Sequence, residues 1–503
     1  MNRFLKIVGA VAVINMLARL FGFLREIIIG AQYGTTPLAD SIINAYTIPN
    51  LLYLVIGGAF TTAFISIYHK TKSPLDQYIR RTFTTIFIAI TIVTIFFMIL
   101  ADPILQWYFK EASGEGYERL KSLYLWMMPS TIMLVLSTWL SGVLNVQGKF
   151  HLSSFSVLIY NLSFLIISVG LSFVIGPIGY GVGALLGAVC MVLFLTYGVR
   201  NVEHMSFKPL LTQSSDQKEL WKVALPIMLG GATAQMYILI QRFFTNVLED
   251  GVVSAMNFAT KMSQFPQAIL MTAVTTVIFP MLSKKEGEGD QAAIKALYLK
   301  GLRLLYMLVL PISLYFYFQA EPIIRVVFEY NNFDATSTAL TAPLLKVFSL
   351  SMFFLAANMY VTRFYYAKGN SITPVIFSFI TVFGVNIAVI YALLEQQGAE
   401  AIAWATVVSA IANFILLVAY LQWKYKLLLI HHNVKQFGKF FILTVAFACA
   451  LWGISTYIVF DWKWLHILVT FILASVIYAI LLAVLRFPEM SVLLNKVRQK
   501  VGK

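Results

Sequence analysis

Residues 7–33 read IVGAVAVINMLARLFGFLREIIIGAQY. A run this long and this apolar crosses the roughly 30 Å of bilayer hydrocarbon as a helix. Three charges interrupt it: Arg19, Arg25 and Glu26. A charge at bilayer depth costs at least about 2.5–3.5 kcal/mol, so it persists where it faces a polar cavity and not lipid. Apolar runs of similar length recur near 40–67, 82–101, 122–145, 153–175, 178–199, 223–247, 252–282, 304–319, 341–366, 373–393, 401–422, 440–459 and 464–485. Alternation with period two over ten-residue segments, the mark of a membrane β-barrel, is missing. The expected fold is an all-α integral membrane protein of about 14 transmembrane helices. Composition agrees: 12% of residues are charged and mean hydropathy is +0.80, whereas soluble domains carry roughly 25% charged residues.

Six basic side chains fall inside the expected spans: Arg19, Arg25, Arg242, Lys261, Lys346 and Arg363. Only Glu26 and Asp40 offset them at similar depth. A cation-rich interior points to a pathway for something anionic. The net charge of +15 has a different origin. With both termini on one side, that side's loops and tails hold 26 Lys and Arg, the other side's only 5. Such an asymmetry orients both termini into the cytoplasm, and it accounts for the basic balance without nucleic acid. The basic, apolar start lacks a small-x-small cleavage site and reads as a retained first span. Cys190 and Cys449 fall mid-span and imply no disulfide. His431-His432 has no further ligand at metal-binding spacing, so no metal or cofactor is expected.

The chain echoes itself. Ile48-Pro49-Asn50 and a following Thr61-Thr62 recur as Phe265-Pro266-Gln267 and Thr275-Thr276. Gln147-Gly148-Lys149 recurs as Lys368-Gly369-Asn370, and Gly183-Ala184 as Ile402-Ala403. The offsets are 217 for the proline motif, 214 for the threonine pair, 221 and 219 residues, which divides the chain into an N-lobe of six helices (1–217), a C-lobe of six (218–426) and a C-terminal helix pair with a cytoplasmic tail (427–503). Six spans per half make two pseudo-symmetric bundles in parallel orientation, with a binding site expected near the midplane. Prolines within spans weaken the helical bonding around them. Pro49 and Pro266, paired across the repeat, are the expected hinges, together with Gly22 in the first span.

Arg19 and Glu26 lie seven residues apart on one helical face, and Arg25 points about 120° away. Two readings stand for Arg25: a fork for phosphate, whose planar geometry donates two parallel hydrogen bonds, or a side chain snorkelling to headgroups. Asp40 either pairs with Arg19 or Arg25 or caps its own helix. Arg242 and Lys261 are the second half's counterparts, and Arg363 and Lys346 are long enough to reach an interface. Gly179-Tyr180-Gly181-Val182-Gly183 mimics a dinucleotide loop, but no strand precedes it; close helix packing explains it better. No nucleotide-binding loop, HExxH or GxSxG motif is found, so an enzyme is not expected.

The run from Arg19 through GFLRE, then Leu38-Ala39-Asp40, Ile48-Pro49-Asn50-Leu51-Leu52 and Gly58-Ala59-Phe60, resembles the N-terminal signature of the MurJ/MviN family. So does Asn257-Phe258-Ala259-Thr260-Lys261 through Phe265-Pro266 and Phe279-Pro280. That family comprises the lipid II flippases of bacterial peptidoglycan synthesis, within the MOP exporter superfamily. The resemblance implies two six-helix bundles around a cationic cavity and a lipid-facing groove formed by the last two helices. It implies translocation of undecaprenyl-pyrophosphate-linked disaccharide-pentapeptide from the inner to the outer leaflet by alternating access. Substrate would be met by Arg19, Arg25, Glu26, Asp40, Asn50, Arg242, Lys261 and Arg363. Lys261 stands where the family usually has Arg. A basic residue after PNLL and an acid before Gly-Ala are replaced by Tyr53 and Gly57. Some relatives build a sodium site on carboxylates in the C-lobe, but spans seven, eleven and twelve have none here. The implied partners are the lipid-linked anionic glycan, membrane lipids and other cell-wall synthesis proteins, with a monomer in the bacterial plasma membrane. A flippase for another polyprenyl-linked glycan (capsule, teichoic or spore-wall precursor) is the alternative. A multidrug antiporter, which needs buried carboxylates, fits less well.

Overall fold

The computed structural model describes residues 3–71, 73–108, 114–212, 214–427 and 430–487. The tail of the expected 427–503 appendage lies outside them from 488 onward. So do the side chains of Thr275, Thr276, Pro280, His431 and His432.

Described residues form helices α1 (Arg3–Tyr33), α2 (Pro37–Leu52), α3 (Gly58–Tyr68), α4 (Leu75–Ile99), α5 (Ala101–Tyr108), α6 (Glu115–Met127), α7 (Ser130–Val146), α8 (Phe150–Ile175), α9 (Ile178–Val199) and α10 (Ser215–Thr245). They continue with α11 (Val252–Gly287), α12 (Gln291–Phe318), α13 (Ala320–Val327), α14 (Ala335–Ala367), α15 (Ile372–Phe379), α16 (Ile387–Gln397), α17 (Ala399–Tyr425), α18 (Ile430–Tyr457) and α19 (Lys463–Val484). Two π-helical segments, Tyr53–Gly57 and Ile380–Asn386, join α2 to α3 and α15 to α16. Among the described residues twelve helical stretches are long and apolar enough to cross a membrane. The charge-bearing α1 and α11, at 31 and 36 residues, exceed the length a span needs. Counting them gives the expected fourteen, a number that stays a proposal.

Helix ends follow local chemistry. Pro37 opens α2, and Pro74 and Pro177 precede α4 and α9, where a missing N–H costs nothing. Asp334 caps α14 by accepting from the Ser337 N–H at 2.8 Å, and this bond holds its carboxyl below the usual range. The two echoed turns share one geometry. Gly148 N–H donates to Asn145 and Lys149 N–H to Leu144; Gly369 N–H donates to Tyr366 and Asn370 N–H to Tyr365. Both glycines have φ near 70°, the left-handed helix stop that a Cβ disfavours. A further echo emerges with the fold. The eight-residue helices α5 and α13 begin Ala101-Asp102-Pro103-Ile104 and Ala320-Glu321-Pro322-Ile323, again 219 residues apart.

The chain divides into two compact units, one of residues 1–258 with 331–333, the other of 259–330 with 334–503. In the first, α8 packs on α9 and α1, α9 on α7 and α6, and α3 on α7 and α10. Its aromatic core includes Phe64 stacked on Tyr78 at 5.4 Å, with Trp139 against both Phe64 and Phe83. In the second, α14 packs on α17, α12 and α13, and α12 and α13 meet α18 and α19. The contact boundary after Phe258 differs from the repeat boundary at 217, because α10 packs against α2, α3 and α4. Part of the polar stretch 200–221 is also tied down within the first unit. Arg80 donates to the carbonyls of Lys208 and Pro209, and Leu210 N–H to Thr84. The lobe division by repeat remains a proposal.

Candidate functional site

At Arg25 and Glu26 the face of α1 turns inward. Glu26 is 4% exposed, and the Arg25 guanidinium lies 2.8 Å from its Oε1. Arg25 is held between rings, 4.7 Å from the Phe164 centroid on α8 and 5.4 Å from Tyr46 on α2. The Tyr46 and Tyr160 hydroxyls hydrogen-bond at 2.9 Å beside it. Asn257 Nδ2 donates to Glu26 Oε2 at 2.7 Å, while Asn257 Oδ1 accepts from Arg242 Nη2 at 2.7 Å. Arg242, itself buried, uses Nη1 on the Val253 carbonyl at 2.8 Å. Two guanidinium groups, one carboxylate and one amide thus form a continuous buried chain. Buried charges persist only when paired and hydrogen-bonded, and each member here meets that demand.

A second tie lies alongside. Both oxygens of Asp40 accept backbone N–H bonds at 2.7 Å, from Gly251 and Ser254. These are donors at the start of α11, which a helix leaves unsatisfied and which favour negative charge. Gly251 sits at φ 83° with the Thr35 backbone against it, so no side chain fits there. Asn44 Nδ2 donates to Asn246 Oδ1 at 2.7 Å, and Tyr108 donates to the Leu239 carbonyl at 2.8 Å. A cavity of about 640 Å³ opens beside these groups, lined by Asp40, Asn44, Asn246, Glu249 and Asp250. Asp40→Ala removes the cap on α11 and lowers stability by about 1–2 kcal/mol; thermal unfolding of the purified chain measures this, and Asp40→Asn restores roughly half.

The expected residues separate into groups. Arg25, Glu26 and Arg242 meet in the buried chain. The snorkelling reading of Arg25 is corrected, since the side chain is caged by Tyr46, Phe164 and Glu26. Asp40 is corrected too. Its carboxylate caps α11 and neither pairs with Arg19 or Arg25 nor caps α2, whose N-cap is Thr36. Arg19 is exposed on α1 and takes no part in the network, and Asn50 is half-buried on α2. In the second unit, Lys261 is exposed on α11 and Arg363 half-buried on α14. α1 runs unbroken through Gly22, where the missing Cβ admits Asn161 of α8; that amide donates to the Ala18 carbonyl at 3.1 Å. Pro49 lies four residues before the π-helical segment, and Pro266 lies within the continuous α11. A Cβ at Gly57 would stand 2.8 Å from Thr138 Oγ1, so an acid at that position requires the Thr138 side chain to move. Asn257, Asn44, Asn246, Tyr46 and Phe164 are site residues that the sequence does not single out. Only Asn257 carries a signal, as an amide at the head of the motif that runs to Lys261.

The sequence model of the family described as "Lipid II flippase MurJ" matches residues 29–476. The chain is 25% identical over 457 residues to a probable lipid II flippase MurJ of Rickettsia prowazekii, covering 88% of each. It is 27% identical over 382 residues to the lipid II flippase MurJ of Burkholderia cenocepacia, covering 72% of this chain and 73% of that one. Among solved structures it is similar in fold to a lipid II flippase MurJ in an inward closed conformation, with TM-score 0.82, 21% identity and coverage of 94% and 98%. An inward-facing multidrug resistance MATE transporter of the MOP superfamily gives TM-score 0.71 at 13% identity, covering 83% and 99%.

Proposed function

The chain belongs to the lipid II flippase MurJ family, and on that premise we propose that it moves lipid II from the inner to the outer leaflet of the bacterial plasma membrane by alternating access. The observation that carries this reading is the buried Arg25–Glu26–Asn257–Arg242 chain, which sets two guanidinium groups inside helices of a membrane protein. A pyrophosphate headgroup is the anion such an interior suits, and a MATE-like fold does not argue otherwise, since likeness at 13% identity speaks to the fold alone. Arg19, exposed on α1, and Lys261, exposed on α11, each attract the anionic headgroup while the polyprenyl tail stays in lipid.

The network supplies the switch. An anion reaching Arg25 competes with Glu26 for the guanidinium and loosens the Glu26–Asn257 bond. Hydrogen bonds to charged groups contribute about 1.5–3 kcal/mol each, so a few such exchanges suffice to tip a two-state transporter. The helix at Pro49 and the π-helical turn after it are already short of regular bonds, and they bend first. Membrane potential, worth about 2.3 kcal/mol per charge per 100 mV, acts on the charges of this interior. Both termini face the cytoplasm, and the protein works as a monomer beside other cell-wall synthesis proteins.

In a strain depleted of its own flippase, Arg19→Ala and Lys261→Ala, each accumulating at wild-type level, abolish growth support. Normal growth with both variants would remove these residues from the site. A leaflet-accessibility assay of labelled lipid II in the same strain tests the substrate, and unchanged accessibility on depletion would point to another polyprenyl-linked glycan.

A further inference from the structure

The second unit holds a cavity of about 870 Å³ that the transport reading does not use. It lies where α12 and α18 end and α13, α17 and α19 begin, at the end of the unit opposite the Gly369 turn. Next to its lining residues Ser455, Val459 and His466 the chain carries exposed aromatics: Tyr457, Trp462 and Trp464 are 79%, 64% and 52% accessible. Such a belt settles at the membrane–water interface, which puts the cavity at headgroup depth. Its volume falls within the range of small-molecule pockets, about 300–1,000 Å³.

The lining is built from complementary charges. Lys346 on α14 places its ammonium 5.0 Å from the Tyr317 ring centroid, and no carboxylate pairs with it among the described residues. Glu400 and Trp404 lie one turn apart on α17, and Glu321 and Arg325 one turn apart on α13. Beneath them Gln319 is 1% exposed. It shares a 3.0 Å hydrogen bond with His466 through Oε1, while its Nε2 has no acceptor. Arg325 is already paired, 3.7 Å from Glu321 and 3.6 Å from Glu329; among the described residues Lys346 and Glu400 are the lining's two unpaired charges, of opposite sign, which suits a ligand that carries both.

The short helix α13 divides this cavity from an apolar hollow of about 480 Å³. Glu321 and Arg325 face the polar side; Ile323, Val326 and Val327 line the hollow. From there Ile467, Phe471, Ala474 and Tyr478 continue it as one stripe down α19. A polar chamber at headgroup level above an apolar trough has the shape of a single lipid.

We propose that this cavity binds the headgroup of a zwitterionic, amine-bearing phospholipid of the outer leaflet. Phosphate oxygens accept from Lys346 and Gln319, the ammonium meets Glu400, and an acyl chain lies in the hollow. The site is separate from the Arg25–Glu26 network and stands or falls without it.

The full chain is reconstituted in nanodiscs of equal phosphatidylethanolamine and phosphatidylglycerol, and lipids retained after release are counted by native mass spectrometry. One phosphatidylethanolamine per chain is expected, in several-fold preference. Lys346→Glu lowers its retention about tenfold, the equivalent of one charge-assisted contact, and Glu400→Gln erases the preference over phosphatidylglycerol. Trp404→Ala, which leaves every charge in place, weakens retention of both lipids. Wild-type retention in Lys346→Glu and Trp404→Ala would overturn the proposal. So would displacement of phosphatidylethanolamine by equimolar undecaprenyl phosphate, which would assign the pocket to the transported class of lipid.

Discussion

Glu26→Ala leaves the protein unable to support growth and lowers its thermal stability more than any other single change in α1. The carboxylate stands between the Arg25 guanidinium and the Asn257 amide, which in turn holds Arg242. Its removal strands a caged guanidinium with no counter-charge, and breaking a buried pair from one side costs about 3–5 kcal/mol. It also frees Asn257, so Arg242 loses a fixed acceptor in the same stroke. Glu26→Gln keeps the shape and an oxygen for one partner and is expected to recover part of the stability but not the transport. The double variant Arg25→Ala, Glu26→Ala should be less impaired in stability than the two single changes sum to, because removing both partners leaves no orphan charge. Unfolding curves of the four purified proteins close this cycle. A Glu26→Ala protein as stable as wild type would mean that water or another group already neutralises Arg25.

Gly183→Val is expected to be nearly as damaging, for reasons of volume. On α9, Gly179, Gly183 and Gly187 recur every four residues against the backbone of α8. A Cβ at these positions would stand 2.6 Å from Ser172 N, 2.8 Å from Ser168 N and 3.0 Å from Phe164 N. Backbone cannot step aside as a side chain can, so the two helices must separate along their length. Overpacking ordinarily costs about 1–3 kcal/mol, occasionally more, and rigid neighbours put this case at the upper end. The displaced α8 carries Phe164, one of the two rings that cage Arg25, so activity falls with stability. Gly170→Ala, which meets nothing within 4 Å, is the control and should stay within about 0.5 kcal/mol of wild type. A Gly183→Val protein that accumulates and melts normally would show that α8 and α9 separate freely.

Much of this is legible in the sequence because the bilayer imposes so coarse a rule. Apolar length alone marks the spans, and an Arg or Glu inside one announces an interior polar site. That logic finds Arg25, Glu26 and Arg242 without any knowledge of their neighbours. It cannot find the partners. Asn257 lies 231 residues from Glu26 and Ser254 lies 214 from Asp40, and a neutral amide or a backbone N–H leaves no charge to notice. Asp40 misleads for the same reason: its partners are peptide groups, which every residue has. The glycines of α9 do declare their packing role, because a residue without a side chain once per helical turn lets a second backbone come close. The echo between α5 and α13 is fainter. Span length and buried charge carry the rest of the repeat, whereas Ala-Asp-Pro-Ile sits at the end of a span, where neither signal applies.

The matching turns at Gly148 and Gly369, and the matching short helices α5 and α13, bear on ancestry. If each copy of the repeat traverses the bilayer six times, it starts and finishes on the same side. A gene of half this length could therefore duplicate in tandem and fuse head to tail, both copies inserting in one sense. No forebear able to insert both ways up is required.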